Sequence, residues 1–339
     1  MPLNIAILRA RARRGLGIGA CAALFGATGW IVPAYANPTI TTFDVTGATD
    51  TFVGAVNSLG EIAGFYTDSS GGKHGFFRAA GGAITPFDVP GSSDTVATGI
   101  NRAGRIAGYY GDSTGSHGFV RKANGTIETF DAANTGGQTV AEAINRAGAV
   151  TGIYGALDTG MAFVRAPDGT ITFFYVAGAQ VTEGVGINRA GKIAGVYFDS
   201  SHFGGLVRKP NGTIATFDVP GSDNTSAKSI NRGGNVAGQF SDSGGTHGFL
   251  RTSNGTFETF DVPTSVTTVA TSISNNGKIA GWWDDGAHTH GFVRKADGTI
   301  VTFDPVGSAA TTARSIAGDM IAGDYTDNSG AAHGFLRTP

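Results

Sequence analysis

Charged side chains stand at four places in short stretches that are otherwise small or β-branched. Glu142 lies in TVAEAIN, Glu183 in VTEGVGIN, Lys228 in TSAKSIN and Arg314 in TTARSIA. The two cations can hold an anionic group, and the two glutamates can accept hydrogen bonds from sugar hydroxyls or act as a general base. These four residues are therefore the candidate ligand-binding residues. The alternative is a solvated site in which the charges compensate one another.

Histidine and aspartate form a second set. His74, His117, His247 and His333 each follow an aspartate across a short loop, and the pairs can serve as metal ligands or acid–base groups. Hydrogen bonds from aspartate to turn amides, and from histidine to a neighbouring repeat, would instead make them structural clips, which is the interpretation we adopt. His288 and His290 beside Asp284 form the best single metal candidate, because histidines and carboxylates ligate zinc. No metal and no cofactor is otherwise predicted.

Motifs of several common enzyme classes are missing from the sequence. It contains no P-loop and no H-E-x-x-H, and its single cysteine, Cys21, lies near the N-terminus. No catalytic residue is therefore predicted.

A unit of about 43 residues positions all of these side chains. HGFVRKANGTIETFD (117–131) returns almost unchanged at 290–304, and the Phe of "TFD" recurs every 43 or 44 residues. Seven such units follow one another, and each contains four stretches rich in β-branched or aromatic residues. In the second unit the predicted strands are 95–101, 105–111, 117–122 and 126–131. The third and fourth are joined by Asn-Gly, Asp-Gly or Gly-Gly, which favours a tight hairpin.

Four antiparallel strands per unit and seven units predict an all-β protein, a seven-bladed β-propeller. The last unit stops after its third strand, whereas residues 39–44 (TITTFD) supply an unpaired fourth strand. We therefore predict a ring in which the N-terminal strand completes the last blade. A β-solenoid is the alternative. If the first strand of each blade is innermost, its middle position faces a central channel, and Glu142, Lys228 and Arg314 occupy that position.

The repeated phrase resembles the bacterial extracellular HAF family, in which His-Ala-Phe follows a "GIN-x-x-G-x-I-x-G" stretch. Here the tripeptide is His-Gly-Phe, and the resemblance covers residues 39–339. It implies an exported repeat protein and carries no established activity.

The N-terminus predicts export. Four arginines precede an apolar stretch, and Ala34-Tyr35-Ala36 offers small residues for signal peptidase. We predict a signal peptide over residues 1–36 and a propeller domain over residues 37–339; an uncleaved membrane anchor is the alternative. Without these four arginines the chain has 20 Lys+Arg against 26 Asp+Glu. No nucleic-acid partner and no stable membrane insertion after cleavage is expected.

These observations predict a periplasmic or secreted, monomeric module that binds a glycan, cell-envelope material or another extracytoplasmic protein. A propeller enzyme, such as a glycan lyase or hydrolase or a lactone-cleaving enzyme, is one alternative. A purely structural surface protein is the other.

Overall fold

The computed structural model describes residues 38–133, 137–155 and 159–339, so the predicted signal peptide, residues 1–36, lies outside the described residues. In these ranges the chain is all β, which confirms that part of the predicted fold class. None of these residues belongs to a helix long and apolar enough to cross a membrane.

The strands repeat with the sequence. In the second repeat the four predicted strands are present, with bounds shifted by one or two residues. The strands of the described residues are β1 Thr39–Phe43, β2 Asp50–Val56, β3 Ile62–Thr67, β4 Lys73–Arg78, β5 Ile84–Phe87, β6 Asp94–Ile100, β7 Ile106–Asp112, β8 Gly115–Arg121, β9 Ile127–Phe130, β10 Gln138–Ile144, β11 Val150–Gly155, β12 Met161–Arg165, β13 Ile171–Phe174, β14 Val181–Ile187, β15 Ile193–Phe198, β16 Phe203–Arg208, β17 Ile214–Phe217, β18 Asn224–Ile230, β19 Val236–Asp242, β20 Gly245–Arg251, β21 Phe257–Phe260, β22 Thr267–Ile273, β23 Ile279–Asp284, β24 Thr289–Arg294, β25 Ile300–Phe303, β26 Ser308–Ala317, β27 Met320–Asp327 and β28 Ala332–Thr338.

Each repeat folds into an antiparallel meander, as β10 to β13 illustrate: β10 pairs with β11, β11 with β12 and β12 with β13. Parallel contacts of one residue pair each, such as Lys73 with Asp94, join some neighbouring meanders. The strands therefore belong to sheets of 12, 8, 4 and 4 strands.

The two ends of the described chain meet in one meander. Strand β1 pairs antiparallel with β28, from Thr39 opposite Thr338 to Phe43 opposite Gly334. The first repeat also contacts the last, since the Val56 amide donates to Ser315 Oγ at 3.2 Å. β1 thus takes the fourth place beside β26, β27 and β28.

The first strands of the repeats form a closed inner circle. Each of β2, β6, β10, β14, β18, β22 and β26 contacts the first strand of the next repeat, and β26 contacts β2. Small residues permit this close approach: a side chain at Gly99 would press against the backbone of Ile144. The circle puts the middle of each first strand at the centre of the ring.

The hydrophobic core lies between neighbouring repeats. Phe119 is fully buried and packs with Ala63 and Val89 of the preceding repeat. Beside each such core an arginine at the end of the third strand covers a phenylalanine of the preceding fourth strand; for example, Arg251 lies 4.7 Å from the centre of the Phe217 ring. The others are Arg78 over Phe43, Arg121 over Phe87, Arg165 over Phe130, Arg208 over Phe174, Arg294 over Phe260 and Arg337 over Phe303. Each contact contributes about 0.5–2 kcal/mol.

Candidate functional site

A β-bulge marks the same position in every first strand. In β10 the pairing with β11 shifts between Ala141 and Ala143, so Glu142 is the extra residue. Bulges leave one residue outside the ladder and redirect its side chain. The bulge residues of the seven first strands are Gly54, Thr98, Glu142, Val185, Lys228, Thr271 and Arg314. Three of the four candidate ligand-binding residues are thus bulge residues on the inner circle.

Three candidate residues from successive repeats, Glu142, Glu183 and Lys228, lie close enough together for their charges to shift the pKa values of the two glutamates. Burial raises the pKa of Glu142 to about 7; the charge of Glu183 adds to the rise, and that of Lys228 opposes it. Burial also raises the pKa of Glu183, again opposed by Lys228. We refer to these three residues as the channel triad. The structure therefore brings together three of the four predicted residues.

Arg314 is not part of the triad. Its Nε and one Nη donate to the two Oδ atoms of Asp324 at 2.9 and 3.0 Å, and Asp324 is buried. Bidentate pairs of this kind are the strongest arginine–carboxylate contacts. The guanidinium that was predicted to hold an anionic ligand already has an anionic partner in the next strand.

Sequence analysis missed two residues near these charges. Tyr109 lies close enough to Glu142 for that carboxylate to raise its pKa, although burial of the tyrosine is the larger cause. Asp324 is the partner of Arg314. In the sequence, Asp324 stands where the corresponding second strands have residues such as Phe65, Tyr109 and Trp282. This charge, at a position that is apolar or uncharged in the other repeats, could have identified Asp324 from the sequence.

The histidines make the clips that were predicted, but with different partners. His117 Nδ1 bonds Asp131 at 2.6 Å and its Nε2 bonds Asp112 at 3.2 Å, and both aspartates belong to the same meander as His117. The prediction that the histidines bond to a neighbouring repeat is wrong, because Asp131 directly follows β9, the fourth strand of the repeat that contains His117. His333 follows the same pattern with Asp44, which lies next to β1, so its clip joins the two ends of the chain.

The fourth repeat keeps its clip in altered form. Gly204 occupies the usual histidine position, and the ring of Tyr197 lies where a side chain at 204 would be. His202, two residues earlier, instead contacts Asp199 at 3.2 Å and Asp218 at 3.5 Å. His202 therefore joins the loop between β15 and β16 to the end of β17, the fourth strand of this repeat.

The metal candidate does not form one cluster. His290 contacts Asp304 and Asp285 through its two ring nitrogens, and Asp284 accepts hydrogen bonds from Gly286 and Thr289. Among the described residues no three His, Cys, Asp or Glu side chains are placed to hold a metal ion.

We expect His117→Ala and His247→Ala each to lower the free energy of unfolding by about 1 kcal/mol near pH 6. Partial burial lowers the pKa of His117, but the hydrogen bonds and charges of Asp131 and Asp112 outweigh it and raise the pKa above 6.5. The stabilisation is therefore fully present below 6.5 and is lost as pH rises through the folded-state pKa. Urea unfolding at pH 6 and pH 9 measures the difference.

The exposed His288 supplies the control, because no hydrogen bond to its ring occurs within the described ranges. His288→Ala should change stability little at either pH. An equal loss in all three variants, or a loss that does not shrink at pH 9, would contradict the clip interpretation.

Several solved structures resemble the described chain, all at low sequence identity. The β-propeller domain of the Trilobed protease from Pyrococcus furiosus matches with a TM-score of 0.64 and 9% identity, over 86% of this chain and 94% of that one. Virginiamycin B lyase from Staphylococcus aureus matches with a TM-score of 0.61 and 12% identity, over 89% and 100%. No family model and no curated protein matches the sequence. At these identities the likeness extends to the fold alone, and the chain is a β-propeller.

Proposed function

We propose that this chain is an exported, seven-bladed β-propeller that binds a ligand in its central channel. Residues 1–36 would be the signal peptide and residues 37–339 the propeller of four-stranded blades. The closed inner circle of first strands and the pairing of β1 with β28 support this blade count. The HAF resemblance supports an exported location, periplasmic or secreted.

The channel triad carries the proposal for binding. Two carboxylates, Glu142 and Glu183, are partly removed from water on the inner strands, and the exposed ammonium group of Lys228 lies close enough to lower the pKa of both. Desolvating like charges lowers the stability of a fold, and such arrangements are concentrated at functional sites. A glycan suits the triad, because carboxylates accept hydrogen bonds from hydroxyl groups and Lys228 can donate one. A cell-envelope fragment or an extracytoplasmic protein would use the same groups.

The melting temperature of residues 37–339 in the presence of chitotetraose, cellotetraose and muramyl peptides tests binding. A ligand present at 100 times its dissociation constant and specific for the folded state adds about 2.7 kcal/mol of stability. We expect the shift to disappear in Lys228→Met and Glu183→Gln and to persist in Lys209→Met, which removes an exposed charge from an outer turn. Arg314 is unsuitable for this test, because its removal leaves Asp324 buried and unpaired.

If no compound shifts the melting temperature of the unaltered protein, the glycan proposal is wrong and a protein ligand or a purely structural surface role is favoured. A shift that survives both triad substitutions would place the ligand elsewhere on the propeller.

A propeller enzyme is a second candidate, and the pKa of Glu142 favours it. A carboxyl with a pKa of about 7 can both donate and accept a proton near neutral pH. A glycan lyase or hydrolase, or a lactone-cleaving enzyme, would need such a group. If the protein is such an enzyme, Glu142→Gln should lower kcat by at least about 100-fold. Saturable ligand binding without turnover would instead support the binding module.

A further inference from the structure

A second concave site lies at the end of the ring where the first strands pass into the second strands. It is a cavity of about 450 Å³ whose lining includes Arg102, Arg146, Arg189 and Arg232. These four residues come from four successive repeats and are exposed. We refer to them as the arginine mouth. A cavity of this size accommodates a small molecule.

Buried asparagines fix the turns that carry these arginines. Asn101 Oδ1 accepts hydrogen bonds from the amides of Ala103 and Arg105, and its Nδ2 donates to the carbonyl of Asn145 at 3.0 Å. Asn145 bonds in the same way to Asn188, and Asn188 to Asn231. Each arginine directly follows one of these asparagines, so the ring of amide bonds holds the four arginine backbones in place before any ligand arrives.

The lining of this cavity carries positive charge and no negative charge. No aspartate or glutamate is among the residues that line the cavity. Carboxylates elsewhere at this end of the ring have other partners. Glu61 accepts a hydrogen bond from Asn57, and Asp319 pairs with Lys278. Asp168 and Asp297 accept hydrogen bonds from amides of their own outer turns. Within residues 38–133, 137–155 and 159–339, none of the four guanidinium groups forms an ion pair with a carboxylate. Beyond residue 36 the chain has an acidic excess, so this cluster is a local reversal of charge.

We propose that the arginine mouth binds a small multivalent oxyanion, that is, one molecule carrying several phosphate or carboxylate groups. Guanidinium groups bind these oxyanions in a bidentate way, and several of them around one cavity suit a ligand with more than one such group. Bound negative charge would also relieve the repulsion among four cations. The site lies four residues beyond the bulge in each strand, so it does not depend on the proposed function of the channel triad.

Isothermal titration of residues 37–339 with tripolyphosphate at low ionic strength tests the proposal, with orthophosphate and citrate in parallel. We expect tripolyphosphate and citrate to bind with one-to-one stoichiometry, and orthophosphate at least tenfold more weakly than tripolyphosphate. The double variant Arg146→Gln/Arg189→Gln should weaken tripolyphosphate binding at least 100-fold. Arg102 is left unaltered because it also borders a neighbouring cavity that contains Glu61.

The control is Lys209→Gln/Lys295→Gln, which removes the same charge from exposed outer turns at the same end of the ring. The affinity of this control for tripolyphosphate should stay within threefold of that of the unaltered protein. Equal weakening in both double variants would show general charge attraction and overturn the proposal, as would an absence of binding in the unaltered protein. Without ligand, the arginine variant should melt no lower than the unaltered protein, because it loses repulsion between like charges and no ion pair.

Discussion

Deleting residues 37–46 should lower the melting temperature of the propeller by about 10 °C or more. The deletion removes β1, whose five residues pair with β28, and it removes Val45, which is only 3% exposed. It also removes Phe43, which packs beneath Arg78, and Asp44, the partner of His333. Loss of this burial and hydrogen bonding costs about 5 kcal/mol. Such a loss is comparable with the whole stability of many domains.

Differential scanning calorimetry of residues 37–339 and 47–339 measures the effect. A synthetic peptide of residues 37–46, added in excess, provides the matched control because it can occupy the vacant edge of β28. We expect it to restore part of the lost stability in proportion to its concentration, and a peptide with the same residues in scrambled order to restore none. An unchanged melting temperature after the deletion would contradict closure of the ring by β1.

Glu142→Gln should raise the free energy of unfolding by about 2–3 kcal/mol at pH 9 and leave it unchanged at pH 4. In the folded chain the pKa of Glu142 rises from 4.5 to about 7, so the folded state holds a proton that the unfolded state has released. The protein therefore loses stability as pH rises from 4.5 to 7, and each tenfold difference in proton affinity corresponds to about 1.4 kcal/mol. Glutamine resembles the protonated side chain and avoids this loss.

Urea unfolding across this pH range measures the gain, and Glu128→Gln is the control. Lys122 lowers the pKa of Glu128, so its ionised form is favoured in the folded state. The control should therefore show no gain at pH 9. If Glu142→Gln stabilises the protein equally at pH 4 and pH 9, the effect does not come from the ionisation of Glu142.

The repeat made most of the fold predictable. Gly, Asn, Asp and Ser mark the turns between the strands, and the hairpin glycines such as Gly125 adopt the positive φ that the sequence predicted. The position of Glu142 was chosen because a charge replaced small residues there. That it lies on a β-bulge was not predictable, because one extra residue in a strand leaves no periodic signal in a sequence of such short strands.

Contacts between repeats were harder to predict. Arg78 covers Phe43, 35 residues earlier, and the hydrophobic and charged patterns within one repeat give no indication of this pairing. The histidine partners were wrong for a related reason: the ends of β8 and β9 bring Asp131 beside His117 within one meander, whereas the prediction placed the partner in the next repeat. Arg314 was predicted to hold an anionic ligand, and its pairing with Asp324 was missed because Asp324 lies ten residues away across a turn.

A titration of the glutamate carboxyls by NMR tests the channel triad most directly. The chain contains five glutamates, Glu61, Glu128, Glu142, Glu183 and Glu258, so residues 37–339 labelled with carbon-13 in glutamate give five resolvable signals. We expect the signal lost in Glu142→Gln to titrate near pH 7, and to titrate higher in Lys228→Met because Lys228 lowers this pKa. Titration of all five carboxyls near 4.5, with no response to Lys228→Met, would contradict a shared site at the centre of the propeller.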